Sequence, residues 1–159
     1  MLSNERVDAA RAGSNPTVIG RMPSGWAVLG DFQFLAGYCL LLADPVVASL
    51  NDLDAQHRSQ FLLDMSHIGD ALLAATDAYR INYEILGNTD AFLHAHIFPR
   101  YRTEPRDRVT GPVWRYERSQ LNSIPFDAER DRPLMRAVYD VLQATNRVSQ
   151  PGPIVGVGG

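Results

Sequence analysis

Phe92-Leu93-His94-Ala95-His96-Ile97-Phe98-Pro99-Arg100 is the stretch on which the reading of this chain turns. Alternate side chains of a strand share a face, so Leu93, Ala95 and Ile97 make one apolar side, while His94 and His96 stand with Phe92 and Phe98 on the other. An apolar side of that kind has to be covered, which puts the strand in a sheet packed against helices. The opposite side carries two imidazoles, about 7 Å apart on a rigid element. They can address one anionic group together, one as nucleophile or base and the other as hydrogen-bond donor. Two further uses of the pair stay open here. The histidines can simply bond backbone carbonyls on a sheet face, or they can form part of a metal site whose third ligand would be Glu84 or Glu104.

Upstream, Ile81, Tyr83 and Ile85 alternate with Asn82 and Glu84, the period of a half-buried strand, and Gly87-Asn88-Thr89-Asp90 is a turn, so the two strands pair as a hairpin. Leu53 to Ala78 is a long helix capped by Asn51-Asp52, its apolar stripe running through Phe61, Met65, Ile68 and Leu72. Earlier still, Trp26 to Leu29 and Tyr38 to Ala43 read as paired strands separated by the Gly30-Asp31 turn and Gly37, with Pro45 ending the pairing. Beyond the histidines, Asp131 as cap, Pro133 in the first turn and an apolar stripe from Leu134 to Leu142 predict a C-terminal helix, and the Phe92 strand is expected to stop at Pro99. Residues 1–20 read as a flexible arm with a short helix around Val7 to Ala12, and 149–159 as a disordered Pro/Gly/Val tail, leaving 21–148 as a single domain. The fold class is α+β: an antiparallel sheet with a long helix packed on it and a C-terminal helix.

Composition agrees with a single core. A chain of 159 residues with 45% hydrophobic and 21% charged residues is globular and too short for two well-buried cores. The net charge of −3 favours neither duplex nucleic acid nor an anionic membrane as partner. All 15 basic residues are Arg, so no lysine nucleophile exists and any phosphate must meet guanidinium, imidazole or backbone N–H. Cys39 stands alone inside an apolar run, which predicts a buried thiol with no internal disulfide. His57 and His67 read as ordinary surface or partly buried residues of the long helix. Neither a leader-like nor a membrane-spanning run is present, so a cytoplasmic location is expected. Arg100, Arg102, Arg106, Arg108, Arg115 and Arg118 are interleaved with only Glu104, Asp107 and Glu117. They make either a local positive surface for a polyphosphate or a salt-bridged loop, and Trp114 and Tyr116 in the same stretch suit a second nucleoside or a partner subunit.

Leu93 to Arg100, preceded by Asn88, a long helix and the Leu29-Gly30-Asp31 … Gly37-Tyr38 … Leu42 strand pair, resembles the histidine triad family of nucleotide hydrolases and transferases, with a likeness to its bacterial diadenosine polyphosphate hydrolase members. The family pattern is His-φ-His-φ-His-φ-φ, often followed by Pro-Arg. Only two of the three histidines are present here. Keeping Pro-Arg aligned puts the triad on Phe92, His94 and His96 with His94 as nucleophile, whereas the other register, His94, His96 and Phe98, makes it His96. We adopt the first. The resemblance then implies that His94 attacks the α-phosphorus of a nucleotide conjugate such as diadenosine tetraphosphate or a nucleoside phosphoramidate. His96 and Asn88 would donate to its oxygens, and water would release a nucleoside monophosphate. It also implies a base pocket from Trp26, Leu29 and Leu42, ribose contact by Asp31 and a homodimer, while Arg100, first of the arginines that follow His96, is the expected contact for a polyphosphate leaving group. No metal is needed at the nucleophile, although Mg2+ can accompany a polyphosphate. Phe92 at the first triad position alternatively marks a nucleotide-binding sensor without turnover.

Overall fold

The computed structural model describes residues 3–156, with side chains from Glu5 onward. Along the chain the elements are α1 (Ser3–Arg11), β1 (Val18–Met22), β2 (Gly25–Leu29), β3 (Cys39–Ala43), α2 (Ala55–Ala75), β4 (Arg80–Glu84), β5 (His94–Arg100), α3 (Arg106–Val109), α4 (Arg118–Leu121), α5 (Ala128–Ala144) and β6 (Gln150–Pro151). The strands form one six-stranded sheet in the order β4-β5-β3-β2-β1-β6, every pairing antiparallel. The fold is α+β, as expected from the order of strands and helices along the sequence.

One face of the sheet carries Ala27, Leu29, Cys39, Leu41, Leu93, Ala95 and Ile97 and is closed by Phe61, Ile68 and Leu72 of α2 and Met135, Val138 and Leu142 of α5. This is the main core, and Cys39 lies wholly inside it, where burial pushes its thiol far up and leaves it unreactive. The other face carries His94, His96 and Phe98 together with Leu40 and Leu42, because the β3–β5 register sets Leu42 opposite His94 and Leu40 opposite His96. The strand does not stop at Pro99. Only Cys39 to Leu42 of β3 pair with β5, reaching Ile97 and no further, so Pro99 faces a side with no strand to receive an N–H and pairing with β4 continues to Arg100.

Three expectations at the chain ends and helix starts are corrected. The N-terminal arm is helix α1, which buries Val7 and Ala10 against Val18, Trp26, Val28, Leu42 and Phe92, and residues 18–20 belong to β1. Two apolar side chains among small and polar neighbours give too faint a stripe to predict that docking. The tail is equally ordered: β6 pairs with β1, Gly152 N–H donates to the Ile19 carbonyl at 2.9 Å, and Val155 is 1% exposed. Residues 157–159 of the expected disordered tail lie outside the described residues. The helices are capped elsewhere: α2 by Asp54, and α5 by Asp127, which accepts from the Glu129 and Arg130 amides at 3.1 and 2.8 Å. Asn51-Asp52 instead closes a 3-10 turn, and Pro133 sits in the second turn of α5 while Asp131 accepts from the Asp127 amide at 2.9 Å. Among the described residues no helix is long and apolar enough to cross a membrane.

Candidate active site

The two histidines face one another across 4.9 Å between ring centroids, at 73°, closer than strand spacing alone requires. His94 is nearly buried, and its Nδ1 lies 2.8 Å from the Phe92 carbonyl oxygen. A carbonyl only accepts, so the proton sits on Nδ1 and the lone pair on Nε2. Phe92 stacks on the same ring at 4.8 Å and 26°. Phe92 thus gives His94 a backbone acceptor although its side chain carries no imidazole.

His96 is held differently. Its Nδ1 lies 2.6 Å from the Tyr38 hydroxyl, and Tyr38 is itself stacked on Phe98 at 4.3 Å. Burial, followed by the neighbouring His94, lowers the His96 pKa to about 4, so the ring is neutral near pH 7. Burial also pushes the Tyr38 hydroxyl far up, keeping it a donor. With Tyr38 donating to Nδ1, the His96 proton is on Nε2. Tyr38 lies flat because residue 30 is Gly: a Cβ there would come within 2.3 Å of the Tyr38 ring. The sequence reading did not single out Tyr38 as a site residue: its bond to His96 depends on this close approach, which no spacing rule reveals.

Two cavities meet at the pair. One of about 180 Å³ is bounded by Arg6, Asp31, Leu40, Leu42, Phe92 and the histidines. The second, about 400 Å³, is bounded by the Leu86–Asp90 loop including Asn88, by both histidines and by Trp114. His94, His96, Asn88, Asp31 and Leu42 therefore converge. Arg6 was not foreseen: it reaches from α1 and pairs with both carboxylate oxygens of Asp31. Among the described residues it is the one arginine lining these two cavities.

Three expected substrate contacts lie elsewhere. Leu29 points to the opposite face of the sheet and is fully buried under the helices. Trp26 does share the histidine face, but α1 covers it and its indole N–H donates to Asp44 at 2.9 Å, so it is core rather than base pocket. Arg100 is 1% exposed and its donors are all engaged. Nε and one terminal nitrogen hold Glu104 at 3.0 Å, and the remaining N–H groups reach Asn82 at 2.6 Å and the carbonyls of Gly111 and Arg108 at 2.8 and 2.9 Å. Such an arginine has nothing left to offer a phosphate. Glu104, which also accepts from the Tyr101 amide and Tyr116 hydroxyl at 2.8 and 2.6 Å, is not available as a metal ligand. Glu84 stands opposite His96 on β4, where burial pushes its carboxyl up. Among the described residues no three metal-ligating side chains converge.

No family model matches the chain, and no curated protein matches it. Solved structures do. A histidine triad protein from Marinobacter aquaeolei is 19% identical, with a TM-score of 0.68 over 88% of this chain and 94% of that one. One from Sinorhizobium meliloti is 22% identical, with a TM-score of 0.66 over 79% and 88%. A zinc-bound histidine triad family protein from Mycobacterium smegmatis is 18% identical, with a TM-score of 0.62 over 90% and 99%. A six-stranded antiparallel sheet that presents His94 and His96 on its open face, together with these likenesses, gives the chain the fold of the histidine triad proteins.

Proposed function

We propose that this chain is a cytoplasmic nucleotidyl hydrolase of the histidine triad family that cleaves a nucleotide conjugate at its α-phosphate. The observation that carries the reading is the His94 Nδ1–H bond to the Phe92 carbonyl, which leaves the Nε2 lone pair beside a neutral His96. In the first step Nε2 attacks phosphorus, a P–N bond forms and the bond to the leaving group breaks. The positive charge that develops on the imidazole is met by the Phe92 carbonyl through Nδ1–H. His96 Nε2–H donates to a non-bridging oxygen, and Asn88 at the rim of the cavity supplies a second donor. Water then cleaves the P–N bond, returns His94 and releases a nucleoside monophosphate. Leu40 and Leu42 form an apolar floor for a base, and Asp31 is the acceptor for ribose hydroxyls.

Phe92 bears on substrate choice. A phenyl ring cannot protonate a departing group, so anhydrides, whose polyphosphate leaves as a stable anion, suit this site better than phosphoramidates, whose amine needs a proton. A dinucleoside polyphosphate such as diadenosine tetraphosphate is the favoured substrate. Mg2+ would act on the polyphosphate rather than at the nucleophile. The same Phe92 supports a second reading, a nucleotide-binding protein without turnover. We extend the proposal to a homodimer, supported by the exposed Tyr83 on edge strand β4 and by exposed Leu62, Leu63 and Leu73 on α2. Light scattering on the purified chain checks it.

The deciding experiment is chromatographic turnover of dinucleoside polyphosphates, adenosine phosphoramidate and an ADP-sugar, with magnesium or chelator. Wild type, His94→Ala and His96→Ala are compared. Monophosphate release abolished by His94→Ala, with a nucleotidyl adduct trapped on His94, is the expected result. Loss with His96→Ala alone moves the nucleophile to His96. Binding without product by the wild type establishes the sensor.

A further inference from the structure

Hydrolysis of a nucleotidyl-histidine makes a demand that none of the groups placed so far can meet. Water that bonds to phosphorus must lose a proton, and a group with a free lone pair has to stand beside it. His94 Nε2 is by then bonded to phosphorus. The Nδ1 lone pair of His96 is taken by the Tyr38 hydroxyl, so this ring offers only Nε2–H, and burial keeps Tyr38 itself a donor. Asn88 is an amide, and both carboxylate oxygens of Asp31 are held by Arg6. Glu84 lines neither histidine cavity.

Asp90 differs from all of these. It is on the lining of both cavities, and so stands where they meet at the histidine pair. Its backbone carbonyl accepts from the Phe92 amide at 2.7 Å, which ties it to the start of the segment that bears His94. Among the described residues no group donates to its carboxylate, and its charge is near enough to act on His96 and on Arg6. Such a carboxylate costs affinity for an anionic substrate, and no structural bond accounts for its place.

We propose that Asp90 is the general base of the second step, an inference that rests on the nucleotide reading given above. Displacement at phosphorus runs in line, so the leaving group departs opposite Nε2 and water later enters from the place it vacated. With the nucleoside against Leu40, Leu42 and Asp31 in the smaller cavity, that place is the larger cavity, and Asp90 borders both. The water oxygen bonds to phosphorus and its proton passes to the Asp90 carboxylate. The P–N bond breaks with its electron pair returning to His94 Nε2, and Asp90, an exposed residue, then gives the proton to solvent.

Rapid-quench kinetics on the whole chain separates the two steps. The substrate is whichever of the conjugates named above the wild type cleaves fastest: its leaving group appears with the first step and the monophosphate with the second. Asp90→Asn should release one equivalent of leaving group per chain at a rate within about twofold of wild type, yet slow monophosphate release about a hundredfold, so that the adduct on His94 accumulates. Asp90→Ala should behave alike, and added formate, a carboxylate small enough to fill the gap, should restore monophosphate release in proportion to its concentration. A residue that only shaped the loop would slow both steps and would not respond to formate. Equal slowing of both steps, an unchanged second step, or a slowed second step that formate does not restore overturns the role of Asp90 and leaves the nucleotide reading intact. Failure of the wild type to release monophosphate from any of the conjugates overturns that reading, and the base with it.

Discussion

The two ends of β5 carry nitrogen-rich side chains of opposite fate. His94 and His96 each commit one ring nitrogen, to the Phe92 carbonyl and to Tyr38, and present the other to a cavity. Arg100, four residues beyond His96, commits every donor it has to protein oxygens and is fully buried. In sequence the arginine looks like the better phosphate ligand, because it is permanently charged. What separates the two ends is hydrogen-bond accounting: a group whose capacity is spent within the fold is structural, and one with capacity left over in a cavity is available for chemistry.

The sharpest break of that comparison is His94→Ala. Removing the proposed nucleophile should reduce monophosphate release at least about a thousandfold, equivalent to about 4 kcal/mol on the barrier, with little change in melting temperature. Arg100→Ala should do the reverse. It strands Glu104, whose side chain is 4% exposed, and should lower unfolding free energy by about 3 kcal/mol in urea titrations. Arg100→Lys should not rescue it, since an ammonium group cannot reproduce a five-donor fork. If Arg100→Ala instead keeps full stability and loses turnover, the division between the two ends of the strand is wrong.

Much of the first end was legible in the sequence and little of the second. Alternation from Phe92 to Phe98 is a local property, and it gave the strand, its two faces and the histidine pair. The long helix and the β4–β5 hairpin followed from equally local periodicity. Whether Arg100 points to a ligand or into a loop depends on where Arg108 and Gly111 come to rest, and no local pattern contains that. The same holds for Trp26, which lies under α1 because Val7 and Ala10 dock there, and for Leu29, expected in the base pocket although its odd spacing from Trp26 sends the two to opposite faces. That error was avoidable: the period-two rule already separates residues 26 and 29.

His96 sharpens the comparison through pH. Its pKa is lowered to about 4 in the folded chain, against 6.5 as the ordinary value. Between those values the unfolded chain binds a proton that the folded chain refuses, so this residue makes stability fall as pH drops through that window. From pH 7 to pH 5 the contribution is about 2 kcal/mol. Urea titrations should show the His96→Gln variant losing less stability than wild type over that interval, by about that amount. Identical pH slopes would mean that His96 is solvated and that burial does not hold it neutral.

Arg6 lies between the two extremes and gives the smallest effect. It binds Asp31 through both terminal nitrogens, yet the partners are 25% and 45% exposed, and a pair so open to solvent contributes below about 1 kcal/mol to stability. Its position argues for more than stability, since among the described residues it is the arginine that lines the cavity at His94, where the proposed substrate would bring phosphate charge. Arg6→Ala should therefore raise KM about threefold with kcat little changed, and the rise should shrink as salt increases because the interaction is screened. Melting temperature should hardly move. Were Arg6→Ala to destabilise the fold strongly and leave KM untouched, Arg6 would belong with Arg100, and under the proposed function the positive charge for the phosphates would have to come from elsewhere, Arg118 on the cavity lined by Tyr38 and Trp114 being the arginine to test next.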